Sequence, residues 1–339
     1  MVIYTESYRG GLEQYGILIP IRDSKFRRTF AELCTHPVLG PRRVEWHLEH
    51  SGRSITREDI LRAHTEGYVD RLFSGRLEQE IIRTYELMDA NGRYHRYDPS
   101  RATRPLSDLL ERAMYSIGGD YQCCEVALQR GFCFYFGGGA HHAQPDHGKG
   151  FCLLNDVVIV IRKAQAEGLV RNAWVIDVDA HKGDGTAVIT RGDDSVRTLS
   201  IHMARGWPLD EAPIDEQGRE NPSFTPSDVD IPIDAGREGE YLPGLRQGLQ
   251  DLSKLSTPDF ALVVSGVDPY EHDELPSTSL LRLSKAQLLE RDLLIYSFLN
   301  SRGIPAAYLM SGGYGERTWE VYVQFLERVL LDRLSGPGG

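Results

Sequence analysis

The run Val175-Ile176-Asp177-Val178-Asp179-Ala180-His181-Lys182-Gly183-Asp184-Gly185 constrains this chain more than any other stretch. Its apolar start reads as a short strand buried on both faces, the kind found in parallel sheets. Successive strand residues alternate sides, so Asp177, Asp179 and His181 converge where the strand runs out. Charge at the end of a core strand is costly to bury unless a cation or hydrogen bonds compensate it. A metal ion is the simplest compensation. One aspartate at a strand end commonly caps the next helix or faces solvent. Asp-x-Asp-x-His followed by Gly-Asp-Gly instead has the ligand density of a metal site.

The rest of the chain supplies a fold for such a strand. Residues 104–129 read as a helix, followed by a strand at Phe132–Phe136. A helix from Asn155 to Glu167 ends at Gly168, and strands follow at Trp174–Asp177, Val196–Ile201 and Phe260–Ser265. Ser284-Lys285-Ala286-Gln287 reads as a capping box whose helix stops near Gly303 and Pro305. A strand at Ala306–Met310 and a helix at Thr318–Leu334 close the pattern. Strands alternating with helices imply an α/β fold, a parallel sheet covered on both faces. Ligands then collect outside the carboxyl ends of the strands. With no repeat or low-complexity linker, residues 1–334 are expected to form one catalytic domain, with 335–339 as a flexible tail.

Composition excludes several classes. The net charge of −11, with no basic cluster to override it, argues against nucleic acid as a partner. No apolar run approaches the ~20 residues of a membrane span, and the first residues lack the pattern of a signal peptide. A cytoplasmic protein is expected. Five cysteines without paired C-x-x-C spacing read as reduced thiols rather than a disulfide framework. The oligomeric state stays open.

Four strand ends carry polar or glycine-rich sequence. Gly137-Gly138-Gly139-Ala140-His141-His142 follows the first, the opening motif the second, Ser265-Gly266-Val267-Asp268 the third, and Ser311-Gly312-Gly313-Tyr314-Gly315 the fourth. A catalytic zinc site has three protein ligands and open positions, and Asp179, His181 and Asp268 meet that need. His141 and His142 offer the acid and base of amide hydrolysis, with Asp177 and Asp184 available to orient them. Tyr314 is placed to donate to an oxyanion. The glycines at 137–139 do not suit phosphate, since no Gly-Lys-Ser/Thr follows and the dinucleotide spacing is absent.

Together, His141-His142-Ala143, Gly150-Phe151-Cys152-Leu153-Leu154-Asn155-Asp156, Asp177–Gly185, Ser200-Ile201-His202, Gly266-Val267-Asp268 and Gly312-Gly313-Tyr314 resemble the zinc-dependent histone deacetylases. Acetylpolyamine amidohydrolases belong to the same superfamily. The likeness is collinear over about residues 105–330. It implies the arginase-like fold, with a central eight-stranded parallel sheet, and hydrolysis of the amide of acyl-lysine in peptides or proteins. An acetylated polyamine or other small amide is the alternative substrate.

The resemblance further implies Zn2+, or Fe2+, on Asp179, His181 and Asp268. It makes His142, backed by Asp184, the general base and acid, and His141, backed by Asp177, its electrostatic partner. Tyr314 becomes the oxyanion donor. A structural K+ would sit on Asp177, Asp179, Ser200 and the carbonyls of His181 and Ile201. A second monovalent site is placed near Thr190, Asp193 and Val196. Gly150 and Phe151 would line an acyl-lysine tunnel opposite Trp207, with Leu275 as an apolar gatekeeper. The dimanganese ureohydrolases share this fold, but their second metal needs a carboxylate where this chain has Gly183. No second aspartate stands two residues beyond Asp268 either.

Three loops depart from the family pattern: Leu12–Arg27, the segment from Trp207 to about Ser227, and Pro269–Pro276. They are expected at the pocket rim and leave substrate identity open. Asp89 and Asp98 are alternative candidates for a rim aspartate. Glu271, Asp273 and Glu274 could make an acidic mouth favouring a polyamine cation, although such a charge run is more often simply a solvated loop.

Overall fold

The computed structural model describes residues 1–6, 11–209, 218, 221 and 224–335. Its eight strands form one parallel sheet: β1 (Val2–Ile3), β2 (His47–Leu48), β3 (Phe132–Tyr135), β4 (Ala173–Asp177), β5 (Val196–Met203), β6 (Val229–Ile233), β7 (Phe260–Val264) and β8 (Ala306–Leu309). The spatial order is β2-β1-β3-β8-β7-β4-β5-β6. All pairings are parallel, as expected for strands this apolar.

Alternate residues of β4 enter different cores. Trp174, Ile176 and Val178 join one apolar cluster, while Ala173 and Val175 join the other. Helices α1 (Ser24–Thr35), α5 (Tyr241–Leu255), α6 (Lys285–Asn300) and α7 (Trp319–Ser335) cover the first face. Helices α2 (Glu66–Leu72), α3 (Asp108–Arg130) and α4 (Asp156–Ala166) cover the second. Among the described residues, no helix is long and apolar enough to cross a membrane. The cysteines are unpaired, and all but Cys34 are buried.

From β4 the chain steps outward through β5 and β6; from β7 it steps the other way to β8. The order therefore reverses between β4 and β7, which hydrogen-bond from Ala173–Phe260 to Asp177–Val264. Right-handed crossovers then leave on opposite faces, opening a crevice beyond those two carboxyl ends. Asp179 and His181 follow one strand, and Asp268 the other.

Helix α3 begins at Asp108, four residues later than its periodicity suggests, because Pro105 disfavours helix in the residue before it. The box at Ser284 forms as expected: its hydroxyl accepts from Gln287 N, and Gln287 reaches back to Ser284 N. Three strands went unread. β1 and β2 have two residues each, too few for a period, and Pro232 in β6 masks an edge strand.

Candidate active site

Asp179, His181 and Asp268 each place one ligand atom within 4.8 Å of the others, and all three are buried. His181 Nδ1 stands 3.1 Å from both Asp179 Oδ1 and Asp268 Oδ2. Asp268 Oδ1 accepts from Ala180 N at 2.9 Å, whereas the buried Oδ2 has no hydrogen-bond partner of acceptable geometry. An unpartnered carboxylate oxygen facing an imidazole nitrogen and a second carboxylate fits a divalent cation. The electrostatics agree. Burial opposes an imidazolium, yet Asp179 and Asp268 push His181 up to about 10.

The backbone approaches these ligands closely. A Cβ on either Gly266 or Gly312 would lie 2.3 Å from Asp179 Oδ2, so only glycine fits there. Gly183 is equally confined: its Cβ would sit 2.3 Å from Asp177 Oδ2 and 3.3 Å from His141 Nδ1. A carboxylate for a second metal has no space at that position.

Two His–Asp pairs flank the cluster. His141 Nδ1 lies 2.6 Å from Asp177 Oδ2, and His142 Nδ1 lies 2.7 Å from Asp184 Oδ1. Each carboxylate holds an Nδ1–H and leaves Nε2 for chemistry. The pairs differ in charge. Burial disfavours the cation on His141, but Asp177 and Asp179 outweigh it and raise the group to about 9. Burial and then the neighbouring His141 push His142 down to about 3. One imidazole is therefore cationic and the other neutral at neutral pH, the split expected of paired acid–base groups.

A cavity of about 410 Å³ opens onto these side chains, lined by His141, His142, Gly150, Phe151, Asp179, His181, Trp207, Leu275 and Tyr314 among others. Trp207 packs edge-on against His142 and His181, at 4.5 and 5.4 Å between ring centroids. Ser200 pairs with Asp177 across β4 and β5, and its buried hydroxyl has no partner, which fits the monovalent cation expected there. Near the second monovalent position, Val196 N donates to Asp193 O and Asp193 N to Thr190 O.

Two expectations about the rim fail. Asp89 accepts from Asn91 N and Arg93 N, and Asp98 from Ser100 N, so both cap their own turns and neither lines the cavity. Glu86 and Asp23 are the partly exposed carboxylates that do line it. Asp273 is not part of an acidic mouth either. It is buried and accepts from Tyr314 N at 2.7 Å and Leu275 N at 2.9 Å, bracing the turn that carries Tyr314. Glu274 pairs with Arg22, and Glu271 is exposed.

Other supporting residues went unread. Lys25, buried on α1, donates to Ser311 O at 2.6 Å and so grips the same turn. Gln144 Nε2 and Lys149 Nζ both donate to Asp184 Oδ2, at 2.8 and 2.7 Å. Arg291 on α6 is fully buried and donates to Val178 O and Gly266 O, tying the ends of β4 and β7 together. Gln144 and Lys149 lie within the His-His to Gly-Phe stretch, where proximity was a signal. Lys25 and Arg291 had none, since each stands among other charged residues on its helix.

Known proteins resemble this chain in sequence and fold. Residues 19–329 match the histone deacetylase domain family. An uncharacterized protein of Picosynechococcus is 32% identical over 209 residues, 61% of this chain and 64% of that protein. The match thus spans just under two thirds of that relative's length. Histone deacetylase 2 of Arabidopsis thaliana is 25% identical over 97% of this chain and 78% of its own. The crystal structure of the HDA15 HD domain superposes with a TM-score of 0.66 at 19% identity, covering 97% of this chain and 90% of that one, a likeness of fold. Deacetylase activity, resting on a metal cofactor, is what these relationships support. The chain belongs to the histone deacetylase family.

Proposed function

We propose that this protein hydrolyses the acyl amide of Nε-acyl-lysine in peptides or proteins. The observation that carries the reading is the convergence of an Asp–His–Asp ligand cluster and two His–Asp pairs, one with a cationic and one with a neutral imidazole, at one cavity. Asp179, His181 and Asp268 would hold Zn2+, with Fe2+ the other candidate. When bound, the ion would supply Lewis acidity toward water and the acyl carbonyl.

The chain's own groups do the rest. His142 is neutral, and its Nε2 takes a proton from the attacking water and returns it to the leaving amine. Cationic His141 stabilises the negative charge that develops beside it. Tyr314, whose hydroxyl is held well above its usual pKa by burial and by Asp179 and Asp268, stays protonated and donates to the oxyanion. Phe151 and Trp207 would flank the extended acyl-lysine side chain, with Gly150 and Leu275 completing the wall. Asp177, Asp179, Ser200 and the carbonyls of His181 and Ile201 would hold K+, buttressing the strand end behind the catalytic pair. Thr190, Asp193 and Val196 would bind a second monovalent ion.

Steady-state rates on an acetyl-lysine peptide and on N-acetylputrescine test the reading. The peptide is expected to give the higher kcat/KM. A preference for acetylputrescine would make the protein a polyamine amidohydrolase using the same machinery. Inactivity on both, with metal bound, would contradict the catalytic assignment.

A further inference from the structure

Among the described residues, three that are not glycine have left-handed backbone: Glu86 (φ 52), Arg96 (φ 53) and Phe151 (φ 66). All three line the same cavity. Non-glycine residues held in this region cost free energy and cluster where a site depends on them. Their side chains also interlock. Arg96 Nη1 donates to Glu86 Oε2 at 2.7 Å, and the guanidinium carbon lies 5.6 Å from the centre of the Phe151 ring.

The surrounding backbone fixes this cluster in place. Phe151 N donates to Thr84 O at 3.1 Å, and Leu18 N to Arg96 O at 2.8 Å. His95 N donates to Leu87 O at 2.8 Å, closing the loop between Glu86 and Arg96. Both charged side chains stay partly open, 34% exposed for Arg96 and 43% for Glu86, as befits a mouth rather than an interior. The bond to Glu86 is the only one the guanidinium makes among the described residues, leaving Nε and Nη2 available.

We propose that Arg96 and Glu86 form a specificity-determining pair at the cavity mouth, one that favours acyl-lysine within a polypeptide over N-acyl polyamines. The pair offers donors and an acceptor side by side. A peptide unit next to the acyl-lysine has the complementary carbonyl and N–H. An N-acyl polyamine has neither beyond its scissile amide; it offers ammonium groups, and Arg96 neutralises the Glu86 carboxylate that would otherwise attract them. Stacking on Phe151 holds the guanidinium at the tunnel wall, so the backbone is read as the side chain enters. The inference rests on the deacylase reading above and names the substrate class within it.

The test compares three acetyl substrates: an acetyl-lysine peptide, N-butylacetamide, which keeps the side chain and lacks the backbone, and N-acetylputrescine. Arg96→Asn suits the left-handed position, since asparagine tolerates it. It is expected to raise KM for the peptide by about tenfold with kcat nearly unchanged, the loss of a charged hydrogen bond. The kcat/KM for N-butylacetamide should stay within about twofold, and that for N-acetylputrescine should rise as the Glu86 carboxylate is no longer neutralised. Glu86→Gln gives a second measure, with KM rising for the peptide and not for N-butylacetamide. Arg96→Lys should fall between wild type and Arg96→Asn. Equal losses on all three substrates would reduce the pair to a loop support and overturn the proposal, as would unchanged constants. Wild-type protein inactive on every substrate would instead remove the deacylase reading, and this inference with it.

Discussion

Tyr314→Phe should retain its metal and lose roughly 10²–10³-fold in kcat, the usual effect of deleting one oxyanion donor. The substitution isolates the hydroxyl, because the backbone of Tyr314 is held independently. Its N–H donates to Asp273 Oδ2 at 2.7 Å, and its carbonyl accepts from Glu274 N at 3.1 Å. Lys25 fixes the start of the same turn through Ser311 O. A phenylalanine ring therefore keeps its place and its packing while the donor disappears. Metal analysis alongside kcat separates the two effects: an unchanged kcat would remove Tyr314 from the mechanism.

On the proposed mechanism His142→Ala should be as damaging or more so, about 10²–10⁴-fold across the pH range, because His142 would be both the proton acceptor and the later donor. The surroundings are built for that exchange. Asp184 accepts from His142, Gln144 and Lys149; burial opposes its ionisation, but His142 and Lys149 hold it down at about 2. The anion keeps the proton on Nδ1 and the lone pair on Nε2. His141 is cationic where His142 is neutral, and the pH profile should show it. A group raised to about 9 is cationic below that pH, so activity that uses its charge should decline as pH rises through that region. Asp177 is the leading group that raises it, so Asp177→Asn should move this basic limb to lower pH. A limb that stays in place would dissociate it from His141.

The sequence alone reveals the elements that carry chemistry because two local signals coincide there. In β4 an apolar run marks burial, and alternating Asp177, Asp179 and His181 mark its end. The same logic locates Asp268 after β7 and Tyr314 after β8, and the structure brings them to one crevice. Residues that support the site are another matter. Lys25 meets Ser311 across 286 residues of sequence, and Arg291 meets Val178 across 113, contacts that no short-range pattern encodes. Asp273 looked like a solvated mouth acid because Glu271 and Glu274 flank it; only the turn geometry shows it buried against Tyr314 N. The rim is least readable, since it depends on left-handed backbone at Glu86, Arg96 and Phe151, residue types that do not announce it.

The central claim is that one divalent ion, held by Asp179, His181 and Asp268, supports amide hydrolysis at this cavity. Its most direct test is metal content and rate measured on the same preparation. The protein should carry one transition-metal ion per chain, lose turnover of an acetyl-lysine peptide when a chelator strips that ion, and regain it with one equivalent of Zn2+ or Fe2+. Full turnover by metal-free protein would contradict the account.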